Sequence, residues 1–257
     1  MTQVERFTIR NGDVEIALTR GGRGRPLVLS PGLLTTQDDL HDLVGLLRRR
    51  HHVVTYDLRG HGASSAADDY SFSAFLSDFR AVMATVERLS LDSPVLVGHS
   101  LGADLIVRHE SRSAVAERLI LIDGANPVPE PFITPDELDE FRAMFHAAAQ
   151  AEPESDAPGH PVLTAEHVLD LNVEIDSVRA GMLDEYRAID VPIRMIMSTH
   201  MAGPGDDQQT LWRNRNWRAG IERLTTADPR IEVSWLDAGH GMMVTHAEEI
   251  ARIITGE

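Results

Sequence analysis

The spacing of apolar positions along this chain changes character after the first twenty residues. Residues 4–10 and 13–19 alternate apolar and polar around Asn11-Gly12. A period of two flanking a pair that tolerates positive φ predicts a β-hairpin. Beyond the loop Gly21-Gly22-Arg23-Gly24-Arg25-Pro26, short apolar runs follow at Leu27–Ser30, His52–Tyr56, Val95–Gly98, Leu119–Ile122, Ile193–Met197 and Ile231–Leu236. Several are apolar at consecutive positions, as strands covered on both faces are. Between them lie amphipathic, helix-like stretches near 37–50, 72–90, 101–112, 207–226 and 243–255. Alternation of buried strands with helices predicts an α/β fold, a mostly parallel central sheet with helices on both faces.

One interval breaks this rhythm. Between Ala125 and Asp190 no run reads as a core strand. A Pro-rich entry (Pro127, Pro129, Pro131, Pro135) leads into a helix with Leu138, Phe141, Phe145 and Ala148 on one face. A Pro/Gly/acidic loop, Ala151–Pro161, separates it from a second helical stretch carrying Ile175, Val178, Met182 and Tyr186. The interval reads as a helical insertion, whose apolar faces pack on the sheet or roof a pocket. The expected organisation is a core of 1–124 and 191–257 with a helical cap (lid) of 125–190.

Composition narrows the chemistry. The chain has 257 residues, 40 Asp plus Glu, no Cys, and a formal charge of −16; its 24 basic residues are all Arg, because Lys is absent. Without Cys there is no thiol nucleophile, disulfide or Cys-held metal. Without Lys there is no Schiff base, pyridoxal anchor or phosphate-loop lysine. A strongly acidic surface repels phosphate backbones and anionic lipid, so neither nucleic acid nor membrane is an expected partner. The start, Met1 to Arg10, lacks the basic-then-apolar pattern of a signal peptide, and no apolar run approaches a membrane span. A cytoplasmic location is expected, with Ser, His and carboxylates as the available catalysts. No His-Glu-x-x-His or similar metal-binding spacing occurs, so neither a metal nor a cofactor is expected.

The most informative segment is Pro94-Val95-Leu96-Val97-Gly98-His99-Ser100-Leu101-Gly102-Ala103. It reads as a buried strand, then Gly-x-Ser-x-Gly, then a helix. A Ser on so sharp a turn needs small neighbours, because backbone approaches backbone there, and Gly98 and Gly102 supply them. Such a turn lifts Oγ above the carboxyl edge of the sheet and aims a helix N-terminus at a developing oxyanion.

With this elbow, three further segments resemble the α/β-hydrolases: Leu29-Ser30-Pro31-Gly32-Leu33, Tyr56-Asp57-Leu58-Arg59-Gly60-His61-Gly62-Ala63-Ser64, and Ala238-Gly239-His240-Gly241. The likeness covers the chain outside 125–190 and implies an α/β-hydrolase fold with a Ser nucleophile, Ser100. It places the base at His240, in a small-residue loop after the last strand. His99 is read as packing on the opposite side of its strand, and His61 as bracing its loop. The family's usual acid follows a Val-Pro-x-x-x-x-x-Gly-x-x-Asp pattern. Here Val191-Pro192 opens that pattern, but Ser198 takes the Gly place and Met201 the Asp place. Two carboxylates remain: Asp123, closing the sixth strand as in some relatives, and Asp206 in the longer loop that follows. Met201 at the usual position favours Asp123. The family's oxyanion hole implies the backbone N–H groups of Leu33 and Leu101. Leu33 in place of a halide-binding polar residue, with Ser rather than Asp as nucleophile, argues against dehalogenase and epoxide hydrolase chemistry.

Leu34, Phe132, Met144, Phe145, Met182, Trp212 and Met242 are the expected lining of an adaptable, mostly apolar pocket. The function expected is hydrolysis of a small apolar carboxylic ester, lactone or thioester through an acyl-enzyme on Ser100. Acyl transfer, macrocyclisation and carbon–carbon bond hydrolysis use the same residues. A non-catalytic small-molecule receptor on the same fold is the alternative of a different class. A small-molecule substrate is the expected partner, and the chain is expected to be a monomer or homodimer.

Overall fold

The computed structural model describes residues 4–151 and 162–256. The predicted hairpin forms as β1 (Glu5–Asn11) and β2 (Val14–Gly22), paired antiparallel with Asn11 opposite Val14. Six further strands follow: β3 (Arg25–Ser30), β4 (His51–Tyr56), β5 (Val95–His99), β6 (Arg118–Ile122), β7 (Ile193–His200) and β8 (Glu232–Gly239). The sheet has eight strands in the order β1-β2-β4-β3-β5-β6-β7-β8. It is parallel from β4 to β8 and antiparallel only where β2 meets β1 and β4.

The consecutive apolar positions are explained by two cores, one on each face. Val28, Val54, Leu96, Leu119 and Leu121 face a core built with α2 (Phe72–Arg88) and α3 (Leu101–Ser113), through Phe75, Phe79, Val82, Leu105 and Ile106. Their sequence neighbours Leu27, Leu29, Val53, Val95, Val97, Ile120 and Ile122 face the opposite core. That side is covered by α1 (His41–Leu47) and by a C-terminal pair, with Leu43, Val44, Leu47, Ile250 and Ile254 buried. α1 is shorter than its pattern suggests, because Asp39 Oδ2 accepts from the Thr36 N–H (2.8 Å) and hydroxyl (2.7 Å) and holds a turn ahead of it.

Between β6 and β7 the described residues form a one-turn 3-10 helix (Pro135–Glu137) and three α-helices, α4 (Leu138–Ala151), α5 (Ala165–Ala180) and α6 (Met182–Tyr186), with no strand among them. Thr134 and Thr164 open these segments: the Thr134 N–H (3.1 Å) and hydroxyl (2.7 Å) donate to Glu137 Oε2, and Thr164 Oγ1 accepts the His167 N–H at 3.2 Å, the contacts of capping boxes. The Pro/Gly/acidic loop falls outside the described residues from 152 to 161, and so does the side chain of Ala148. After β7 comes α7 (Gln208–Ala227), capped by Asp207, whose side chain accepts from the Thr210 N–H. The single C-terminal helix expected over 243–255 is two pieces, α8 (Met242–Thr245) and α9 (Ala247–Thr255), because His246 leaves helical geometry at φ −126°. No helix among the described residues is long and apolar enough to cross a membrane.

Parallel strands bring their carboxyl ends to one edge. That edge carries the Leu33 turn after β3, Ser100 after β5, Asp123 after β6, Ser198 within β7 and His240 after β8.

Candidate active site

Ser100 sits between β5 and α3 with φ 50° and ψ −121°, a backbone region that side chains rarely enter and that marks stored strain. Two glycines make the turn possible. A Cβ on Gly98 would fall 2.6 Å from the Gly102 backbone, and one on Gly102 would fall 2.3 Å from the Ser30 carbonyl oxygen. The Ser100 N–H donates to the Ile122 carbonyl at 2.9 Å, which ties the elbow to β6.

His240 Nδ1 lies 2.7 Å from Asp123 Oδ2, and its Nε2 lies 3.0 Å from Ser100 Oγ. An ionised carboxylate only accepts, so Nδ1 carries the proton and Nε2 is left as the acceptor of the Ser100 hydroxyl. The chain of bonds therefore runs Ser100 to His240 to Asp123. Ser100 is half-buried and His240 partly exposed, whereas Asp123 is fully buried.

Asp123 itself, at φ 44°, is held by four donors. Oδ1 accepts from the Trp217 indole N–H (3.0 Å) and the Ser198 backbone N–H (3.0 Å); Oδ2 accepts from the Ser198 hydroxyl (2.7 Å) and His240. Burial alone would push this carboxyl's pKa up. The hydrogen bond and charge of His240, followed by the two Ser198 donors, outweigh burial and hold it below the usual carboxylate range.

Asp206 is exposed and makes no bond to His240 among the described residues. β7 delivers Ser198 onto Asp123, and the loop beyond it is held to α7, with the Ala202 N–H donating to Asn214 Oδ1 (2.9 Å) and the Asn214 amide to the Gly203 carbonyl (2.9 Å), before the Asp207 cap. Ser198, which breaks the family's Gly pattern, and Trp217 are the residues that sequence reasoning passed over. The substituted Gly was the available signal for Ser198. Trp217 had none beyond its place on α7, among the positions that bury Gly220, Ile221 and Leu224.

Trp217→Phe removes the indole donor from a buried, charged acceptor. A hydrogen bond to a charged group contributes about 1.5–3 kcal/mol, so the variant is expected to lose about that much stability in urea denaturation. A change below about 0.5 kcal/mol means that the indole N–H does not support Asp123.

Of the two expected oxyanion donors, Leu101 directly follows Ser100 in the chain. Leu101 is the first residue of α3, so its N–H has no partner within the helix. The Leu33 N–H has no hydrogen-bond partner among the described residues. The preceding Gly32 packs directly on the nucleophile, since a Cβ there would come 3.1 Å from Ser100 Cβ. Leu34, at φ 61° and half exposed, donates its N–H to His61 Nε2 at 3.0 Å. His61 Nδ1 lies 2.8 Å from the Arg59 carbonyl and so carries the proton, which leaves Nε2 as an acceptor. Burial, the largest influence, pushes the His61 pKa down and favours this neutral form.

The expected pocket residues divide. Met182 is fully buried in the core that contains Leu171 and Ile175, while Met242 is fully buried in the opposite core with Met243 and Ile250. Both fill space inside the fold on different faces of the sheet, so neither stays in the proposed lining. Met144 is half exposed on α4. Phe132 and Phe145 pack in a small cluster with Ile133, Phe141 and Leu169, and Phe132 meets the Trp217 ring edge-on at 6.4 Å. Trp212 is half-buried on α7.

An ion pair joins α5 to the site. Arg179 Nε and Nη2 bond Asp104 of α3 at 2.9 and 2.8 Å, and the guanidinium lies over Trp217 at 5.3 Å. Burial works against the Arg179 charge and Asp104 more than offsets it. No group of three His, Cys, Asp or Glu among the described residues is placed to hold a metal ion.

Residues 27–253 match the alpha/beta hydrolase family. The chain is 36% identical to an N-formylmaleamate deformylase of Pseudomonas putida over 129 residues, which is 47% of this chain and 44% of that protein. It is 29% identical to a non-heme haloperoxidase of Rhodococcus erythropolis over 126 residues, 48% of this chain and 45% of the other. The chain spans about half the length of the curated relatives it matches. Among solved structures, a hydrolase from Pseudomonas aeruginosa PA01 superposes with a TM-score of 0.73 at 18% identity, covering 98% of this chain and 97% of that one. The thioesterase domain from the curacin biosynthetic pathway superposes at 0.63 with 20% identity, covering 99% and 100%. At such identities the likeness speaks for the fold.

Proposed function

This chain belongs to the alpha/beta hydrolase family, and from that premise we propose that it is a serine hydrolase of a small, mostly apolar carboxylic ester, lactone or thioester. The observation that carries the proposal is the unbroken line of hydrogen bonds from Ser100 Oγ through His240 to the buried Asp123. His240 Nε2 takes the Ser100 proton as Oγ attacks the carbonyl carbon. The Leu33 and Leu101 amides receive the charge that develops on the carbonyl oxygen. His240 then gives its proton to the leaving alcohol or thiol, and the acyl group remains on Ser100. Water, deprotonated by His240, attacks the acyl-enzyme and releases the acid. Asp123 stays ionised and stabilises the imidazolium in both halves.

The helices between β6 and β7 act as the cap in this reading, with Phe132, Phe145 and Trp212 toward the substrate and Leu34 at the rim. Asp104–Arg179 anchors α5 to the core beside the site. A second reading, cleavage of an N-acyl bond, is favoured by the similarity to the deformylase. An amide needs firmer protonation of its leaving nitrogen by His240, but no different residue.

A fluorophosphonate probe tests the shared step. The expected result is one covalent adduct per chain, mapped by peptide mass to Ser100 and absent in Ser100→Ala. No Ser100 adduct at any pH between 6 and 9 sinks the proposal and leaves a binding protein on a hydrolase fold. Parallel assays with p-nitrophenyl esters, thioesters, lactones and N-formyl amides then assign the bond.

A further inference from the structure

His99 closes β5 immediately before the nucleophile, and it faces the base rather than a remote part of the core. Its ring lies 4.9 Å from the His240 ring, centroid to centroid, at a tilt of 35°. Its Nε2 is 3.0 Å from the His240 carbonyl oxygen. A carbonyl can only accept, so Nε2 carries the proton, and the neutral ring leaves Nδ1 bare. That Nδ1 is buried without a hydrogen-bond partner among the described residues. It abuts the oxyanion turn, since a Cβ on Gly32 would stand 2.6 Å from it. One side chain therefore touches the backbone of the base and the arm bearing Leu33, and is bonded in sequence to the nucleophile.

An orphaned buried acceptor is costly, and an apolar side chain of similar size would avoid it. What the imidazole adds is the Nε2–H bond to the His240 carbonyl. The loop it holds is open on its far side: His240 lies between Gly239 and Gly241, and a Cβ on Gly241 would meet nothing within 4 Å. We propose that His99 is a positioning residue for the hydrolysis assigned to this site: its Nε2–H tethers the His240 carbonyl and so fixes the His240 ring between Ser100 Oγ and Asp123 Oδ2. The tether survives changes of pH. Burial first, then the His240 charge from the end of β8, push the His99 pKa down to about 3, with Asp123 at the end of β6 opposing.

The proposal rests on the serine hydrolase reading, and its test separates the two. His99→Leu removes the donor and keeps the bulk, whereas His99→Gln can return an N–H to the same carbonyl. With a p-nitrophenyl ester, His99→Leu is expected to lower kcat about ten- to a hundredfold with KM changed less than about threefold, the scale of a misplaced catalytic group. His99→Gln is expected to stay within about fivefold of the wild type. Fluorophosphonate labelling of Ser100, followed to completion, should persist in both variants. In the unaltered protein, ¹⁵N-resolved imidazole spectra should show His99 as the Nε2–H tautomer from pH 5 to 8. Three results overturn the tether: a His99→Leu kcat within about twofold of the wild type, an equal fall in both variants, or the Nδ1–H tautomer. Absence of Ser100 labelling in the wild type overturns the hydrolase reading, and the tether with it.

Discussion

Ser100→Ala is expected to lower kcat toward a p-nitrophenyl ester by about a millionfold, the scale on which removal of an activated Ser abolishes acyl-enzyme formation. The other hydroxyl placed on the carboxyl edge, that of Ser198, donates to Asp123 rather than to His240. Leu101 and Leu33 contribute amides and apolar side chains, and the chain has neither Cys nor Lys. The residual rate should reflect substrate binding and the two amides alone. Stability gives an independent check on the elbow. Ser100 holds φ 50° and ψ −121°, and a β-carbon there costs about 1–3 kcal/mol that glycine avoids. Ser100→Gly should therefore be as inactive as Ser100→Ala and more stable than it by about 1 kcal/mol in urea denaturation. A variant retaining more than about a hundredth of wild-type kcat identifies another nucleophile, and equal stability of the two variants removes the claim of strain.

Asp123→Asn is expected to cost about ten-thousandfold in kcat, whereas Asp206→Asn is expected to remain within about twofold of the wild type. The size of the first effect follows from the donors around Asp123. Trp217 Nε1–H and the Ser198 backbone N–H both point at Oδ1, and neither can accept. An asparagine must therefore keep its carbonyl oxygen there and turn its NH₂ toward the position of Oδ2. That NH₂ then donates to His240 Nδ1, so the ring proton moves to Nε2, where Ser100 needs an acceptor. The result is a folded protein with its base in the wrong tautomer. Asp206 is exposed, in a loop that Ala202 and Gly203 tie to Asn214 of α7. Steady-state kinetics on both variants decide the matter. Substantial loss in Asp206→Asn with an active Asp123→Asn would reverse the assignment.

The architecture was legible because its causes are local in the chain. The runs Val95-Leu96-Val97 and Leu119-Ile120-Leu121-Ile122 send alternate apolar residues into the two cores on opposite faces of the sheet. The elbow was legible for the same reason: Gly98 and Gly102 sit where any Cβ would strike backbone, so the residue types at those spacings reveal the turn before any tertiary contact is known. Break points were less legible. His246 interrupts what reads as one amphipathic helix, because Met242, Met243, Ile250 and Ile254 all find the same core from two shorter pieces.

The surroundings of the carboxylate belong to another level. Asp123 and Asp206 were both compatible with the residue pattern, since either follows a strand that ends on the catalytic edge. The burial of Asp123 and the donors from Ser198, Trp217 and His240 come from positions 75, 94 and 117 residues away in the chain. No local period encodes such contacts. His99 is the same case: a residue read as facing away from the site bonds the His240 carbonyl from 141 positions away. Hydrophobic period, turn chemistry and the glycines of the elbow determine the sheet and the place of its nucleophile, because each acts over a few residues. Which acid meets the base, and what holds that base in place, depends on how the ends of β5, β6, β7 and β8 converge, and only the assembled sheet decides that.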